Sequence, residues 1–189
     1  MERLTTLFTQ SCKELKRTRT ITVCSMLAAL AIVLGNFSIP VGDSIKLGVS
    51  GIPNRLVDYL FGPVVGGCFG GALDVIKYVI KPSGAFFPGF TFNAVLAGVI
   101  YGCFFYQKKF SLWRIFIAKF IVMLLCNVLL NTLWISMLSG KGFMLLIPAR
   151  LIKNIISWPF ESALLYLVGE TLEIAGAFRI IKGSSPYTE

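Results

Sequence analysis

An all-α polytopic membrane protein, with six transmembrane helices and both termini in the cytoplasm, is what this 189-residue sequence predicts. Three observations carry that expectation. Hydrophobic residues make up 56% of the chain, charged residues only 14%, and the mean hydropathy is +0.77, which lies outside the range of ordinary soluble domains. The apolar residues gather into runs long enough for crossings of roughly 20 residues each. The basic residues cluster at the ends of these runs, where an excess of Lys and Arg marks the cytoplasmic side.

Residues 1–20 read as a cytoplasmic basic amphipathic lead, 21–174 as a six-helix membrane domain and 175–189 as a cytoplasmic C-terminal tail. The lead carries Arg3, Lys13, Lys16, Arg17 and Arg19, with Leu4, Leu7, Phe8 and Leu15 available to rest on lipid. A cleaved signal peptide would have a shorter charged region and a small-residue cleavage site. The first span, about 21–37, stops before Pro40 and Gly42. A polar loop through Asp43 and Lys46 leads to a short segment, 47–61, that ends at Gly62-Pro63. A Gly-rich third span follows, to Ile80. The short segment fits either a crossing or a re-entrant loop. Re-entry would export Lys108 and Lys109, so a crossing is expected.

The fourth span, 89–106, is entered through the turn-rich aromatic loop 82–88. The fifth covers 112–138. The sixth is expected to open at Pro148, favourable at a helix's first position, and to kink at Pro159. Six crossings put the N-terminal cluster, Lys108-Lys109-Arg114 and Arg179-Lys182 on one side. Lys119, deep in the fifth span, must snorkel or find a partner.

Several functions are excluded. The net charge of +9 lies at span ends and not along a folded basic face, so no nucleic-acid partner is expected. The chain has no histidine, and its five cysteines form no C-x-x-C pair, so neither a His-based triad nor a metal site is expected. Ser139-Gly140-Lys141-Gly142 lacks the first glycine and final Ser/Thr of a Walker A loop, so the chain is not expected to hydrolyse ATP or to be an enzyme.

Seven ionisable residues lie within apolar runs: Arg55, Asp58, Asp74, Lys77, Arg150, Lys153 and Glu161. A charge at the centre of a membrane helix costs roughly 2.5–3.5 kcal/mol on insertion scales, so such residues face a partner, a cavity or a ligand. The topology places Arg55 and Asp58 in the outer part of the second span. Asp74, Lys77, Tyr78 and Lys81 share a face of the third. Asn93 enters the fourth. Asn127, Asn131 and Trp134 follow helical spacing on the fifth, and Arg150, Lys153, Asn154, Ser157 and Glu161 stripe the sixth. The set converges on one externally open cavity. Structural ion pairs, Asp74 with Arg150 or Asp58 with Arg55, are the competing reading. Cations outnumber carboxylates, favouring an anionic solute, and Phe37, Tyr78, Phe86, Phe87, Phe92, Trp134 and Trp158 can stack a flat ring. Gly66-x-x-x-Gly70 and Gly67-x-x-x-Gly71 permit close helix approach, and Ser25 and Ala29 begin a small-residue side of the first span.

Four segments carry a family resemblance: Met26-Leu27-Ala28-Ala29-Leu30-Ala31, Tyr59-Leu60-Phe61-Gly62-Pro63-Val64-Val65-Gly66, Pro82-Ser83-Gly84-Ala85-Phe86-Phe87-Pro88-Gly89-Phe90-Thr91 and Pro148-Ala149-Arg150-Leu151-Ile152-Lys153-Asn154. From about Thr20 to Ile174 the chain resembles the substrate-binding S components of energy-coupling factor (ECF) vitamin transporters, specifically the folate-specific members. The Phe-Gly-Pro segment supports the class alone; the third and fourth segments point more narrowly to folate.

The resemblance implies a multi-pass protein of the bacterial cell membrane. It would capture folate outside and deliver it through a transmembrane T component and two ATPase subunits, with no cofactor of its own. It implies a partner-docking face at Ser25, Ala28, Ala29 and Ala31, and gates over the pocket near 37–46 and 82–88. The expected substrate-binding residues are Arg55, Asp74, Lys77, Tyr78, Phe87, Asn93, Asn131, Trp134, Arg150, Lys153 and Asn154. Asp74 or Asp58 would accept adjacent pterin N–H groups, and Arg or Lys would meet the glutamate carboxylates. The competing functions are an S component for riboflavin or thiamin, and a self-sufficient ion-coupled carrier.

Overall fold

Each apolar run of the sequence becomes helix in the computed structural model, which describes residues 2–36, 38–41, 45–48, 50–82, 86–108, 111–140, 142–176, 178 and 181. Phe37, Asp43, Ser83, Gly84, Ala85, Lys109, Lys141, Arg179 and Lys182 lie outside the described residues. In order, the chain forms α1 (Glu2–Leu15), α2 (Thr18–Asn36), the strands β1 (Ser38–Val41) and β2 (Ile45–Gly48), α3 (Gly51–Ile80) and α4 (Pro88–Phe105). There follow α5 (Leu112–Val122), a π-helical stretch (Met123–Leu130), α6 (Asn131–Ser139) and α7 (Phe143–Ile174). Four of these helical runs, including the continuous stretch 112–138, are long and apolar enough to cross a membrane. The architecture is that of an all-α multi-pass membrane protein.

The expected polar loop after the first span contains a small antiparallel hairpin in which Ser38 pairs with Gly48 and Val41 with Ile45. Residues 45–48 are therefore strand, and the second span begins at Gly51 and not at 47. Span six also begins earlier than expected. Its helix starts at Phe143, leaving Pro148 and Pro159 inside it. In a membrane helix the backbone groups freed by proline can be satisfied locally, so an internal Pro does not mark a helix end there.

The long α3 is two arms joined at Gly62, whose φ of +87° and ψ of −170° are non-helical. Only glycine adopts such a conformation readily, and Pro63 then opens the second arm, where its missing N–H costs nothing. Gly51 and Asp74 line the same cavity, whereas a straight helix would hold them about 35 Å apart. The arms 51–61 and 63–80 therefore fold back on each other at Gly62.

The glycines of the second arm bring α4 into backbone contact. A Cβ on Gly70 would lie 2.7 Å from the Ala94 carbonyl oxygen, and one on Gly98 would meet the Gly66 backbone. With Gly102 against Pro63 and Thr91 bonded to Asp74, α4 runs antiparallel to this arm along its length. The core centres here, with Val57, Leu60, Leu73, Ile115 and Ala118 buried.

The Gly62 turn is covered by α1 and by Tyr106. Ser11 of α1 is fully buried, donates its hydroxyl to the Phe61 carbonyl at 2.7 Å and accepts from the Val64 and Val65 N–H groups. Gln107, just beyond α4, donates to Gln10 at 2.5 Å. Past Ile174 the chain returns to the bundle, where the Phe178 ring lies 5.0 Å from that of Tyr59.

Candidate functional site

Among the described residues two adjoining cavities stand out, and Asp74 and Phe90 line both. The inner one, about 400 Å³, lies between α3, α4, the π-helical stretch and α7. The outer one, about 480 Å³, lies where α2, α3 and the aromatic residues before α4 meet.

Asp74 stands at the junction, with Oδ2 accepting from the Thr91 hydroxyl at 2.9 Å. That bond orients the carboxylate. One turn further along α3, Lys77 and Tyr78 line the outer cavity with Lys81, Phe86 and Phe87. The aromatics support one another: Tyr78 and Phe86 rings lie 5.1 Å apart and Phe87 and Trp134 rings 5.4 Å apart. Gly89 permits this wall, because a Cβ there would strike both Phe87 and Trp134.

The inner cavity is rich in amides. Asn93, Asn127, Asn131 and Asn154 line it. Asn93 donates to the Cys126 carbonyl at 3.4 Å and accepts from Trp134 Nε1 at 3.4 Å, tying α4 to the fifth span. The π-helical register places Asn131, whose N–H bonds back to the Cys126 carbonyl five residues earlier. Such widened turns shift side chains off the α-helical stripe and recur at functional sites. Among the described residues Asn131 Oδ1 is buried without a hydrogen-bond partner, a state that costs free energy unless a ligand or water satisfies it. Asn154 donates to the Arg150 carbonyl at 2.9 Å.

Deeper still, nearer the Gly62 turn, sits a charged floor. Arg55 pairs with Asp58 at 2.8 Å and lies 3.6 Å over the Tyr101 ring. Lys119 pairs with Glu161 at 2.7 Å, which supplies the partner its position required. A Cβ on Gly66 would fall on Asp58, so Arg55 and Asp58 belong to the inner layer and not to the outer part of their span. Arg55, Asp58 and Glu161 thus lie at one depth and Asp74 and Lys77 at another. The Arg55–Asp58 ion pair of the competing reading forms, whereas Asp74 bonds Thr91.

Of the expected substrate-binding residues, Arg55, Asp74, Asn93, Asn131 and Asn154 line the inner cavity and Asp74, Lys77, Tyr78 and Phe87 the outer one. Trp134 joins them through Phe87 and Asn93. Arg150 and Lys153 line neither cavity, and Lys153 is exposed. The cavity face of α7 is centred on Asn154, Ser157 and Glu161, and Lys153 falls to its side. Tyr101 carries no signal in the spacing, and only its contact with Arg55 across helices reveals it; Phe90, which lines both cavities, belongs to the third of the family segments.

The small-residue face of α2 also divides. Ser25 and Ala29 are exposed, and Ala28 is half-buried and packed against the core. Ala31 is wholly buried, which removes it from any partner-docking surface. The inward face of α2 carries Thr20, Cys24, Leu27 and Ala31, so a residue two positions past Ala29 points the opposite way.

Comparison with known proteins places the chain. The family model described as "ECF transporter, substrate-specific component" matches residues 19–169. A folate transporter FolT of Clostridium novyi (strain NT) is 36% identical over 152 residues, covering 80% of this chain and 88% of that relative. A folate transporter FolT of Leuconostoc mesenteroides is 31% identical over 157 residues, covering 80% and 84%. A crystal structure of FolT bound with folic acid matches with a TM-score of 0.73 at 32% identity, covering 82% of this chain and 94% of that one. Long apolar helices, a polar cavity among them and a family match over most of its length lead to one conclusion: the chain belongs to the substrate-specific components of ECF transporters, a multi-pass family of transport proteins and not of enzymes.

Proposed function

We propose that this chain captures extracellular folate in the joined cavities and hands it to a transmembrane T component driven by two cytoplasmic ATPases. The observation that carries the reading is the position of Asp74 at the junction of an amide-lined inner cavity and a lysine-bearing outer one. Folate has the matching polarity: a flat pterin with adjacent N–H donors at one end and two carboxylates at the other. Asp74 accepts from the pterin edge, with Asn93, Asn131 and Asn154 meeting its mixed donors and acceptors. Phe87, Tyr78 and Phe90 flank the aromatic length of the ligand. Lys77 and Lys81, nearer the mouth, meet the glutamate tail.

The orientation follows from charge. The Gly62 end carries α1 and Lys108, so it faces the cytoplasm with both termini, and the cavity mouth faces outside. Ser25 and Ala29 form the exposed part of the docking face for the T component. Folate is cargo in this scheme, and the chain requires no cofactor.

Liposome reconstitution tests the whole arrangement. The chain alone should bind folate without moving it, and accumulation should require the T component, both ATPases and ATP. Uptake by the chain alone, driven by an ion gradient, would establish the ion-coupled carrier; retention of riboflavin or thiamin in place of folate would keep the family and replace the substrate.

A further inference from the structure

We propose that α1 is an interfacial helix that binds anionic phospholipid headgroups and holds the closed end of the bundle at the membrane surface. Its one apolar stripe contains Leu7, Phe8, Ser11 and Leu15, on one face by helical spacing. Ser11, in the middle of that stripe, is fully buried against the Gly62 turn. Docking on protein nevertheless leaves the stripe incompletely covered, since Phe8 is 37% and Leu15 38% exposed. A helix packed only for its own bundle would bury these two.

The charge around them identifies what covers the rest. Lys13, Lys16, Arg17 and Arg19 are all exposed within one short segment just before α2 enters the membrane. Glu14 is the one acidic residue among them, bonded to Arg17 at 2.7 Å and to Thr20. Four cations beside two part-exposed apolar side chains, at the start of a membrane span, complement a surface that is anionic outside and apolar just beneath. Because Ser11 and Gln10 fasten α1 to the Gly62 turn and to Gln107, headgroups that hold α1 also hold the hairpin bearing Asp74.

The inference does not rest on folate as the ligand, and nanodiscs with the same lipids in both leaflets make its test independent of orientation. Amide hydrogen exchange would be followed over residues 5–17 of the full chain, in nanodiscs of phosphatidylcholine alone or mixed equally with phosphatidylglycerol. The anionic lipid should slow exchange about fivefold or more, and Lys13→Gln with Lys16→Gln should remove most of that difference. Equal exchange in the two lipids would overturn the proposal. So would an undiminished difference in the variant, or slowing that appears only when the T component and ATPases are added, which would make this face a protein interface.

Discussion

Ser11 accepts a hydrogen bond from the backbone N–H of Val64 at 3.0 Å, across 53 residues of sequence, and so caps a helix to which it does not belong. The second arm of α3 starts at Gly62-Pro63, neither of which offers a capping side chain. The hydroxyl of Ser11 takes that place, accepting from Val65 as well and donating to Phe61. The first turn of the helix that carries Asp74 is thus completed from α1.

Ser11→Ala should lower stability by about 1–2 kcal/mol, the usual cost of removing an N-cap. The measurement is the melting temperature of the purified chain in one detergent. Ligand affinity measured well below the transition should stay near the wild-type value, since Ser11 touches neither cavity. An unchanged melting temperature would show that Val64 and Val65 are satisfied in another way.

The α3–α4 contact sets a second expectation. Gly98→Val must push apart backbones that touch at Gly66, and folded protein should be largely lost from membrane extracts. Gly142→Ala is the matched control, because a Cβ there meets nothing within 4 Å. Size-exclusion profiles of the two variants would separate these outcomes.

At the candidate site only some of the residues that sequence spacing favours line a cavity. Asp74→Ala should weaken folate binding at least tenfold, the cost of roughly one charge-assisted hydrogen bond. Arg150→Ala and Lys153→Ala should weaken it less, since neither side chain lines a cavity. A larger loss at Lys153 than at Asp74 would return the sixth span to the centre of recognition.

The two faces of α2 give opposite responses to one substitution. Ala29→Trp adds bulk to an exposed position and should abolish uptake by the assembled transporter while sparing binding. Ala31→Trp has no room, with the native side chain fully buried, and should prevent folding. Uptake by Ala29→Trp at the wild-type rate would remove this face from the partner interface.

Much of this was legible in the sequence because the membrane makes hydropathy and charge asymmetry direct reporters of spans. Gly62-Pro63 marked the reversal correctly, since a positive-φ glycine before a helix-opening proline is a local signal. Pro148 misled for a related reason: the rule that proline opens helices comes from water, and α7 continues through it. Lys153 lies outside both cavities because Arg150, Lys153, Asn154, Ser157 and Glu161 together cover a wide arc of a helix, of which the cavity uses a part. Tyr101 was illegible, as its role depends on Arg55 reaching across from another helix. The two-layer arrangement of charges was hidden likewise, because spacing reports the face of a residue more securely than its depth.

Calorimetry of folate, riboflavin and thiamin against the detergent-purified chain and its Asp74→Ala variant, without ATP or partner subunits, tests the function and the site together. Tight binding of folate alone to the wild-type chain is expected, with at least tenfold weaker binding by the variant. Folate bound equally by both would contradict the site, and no binding of folate to the wild-type chain would contradict the function.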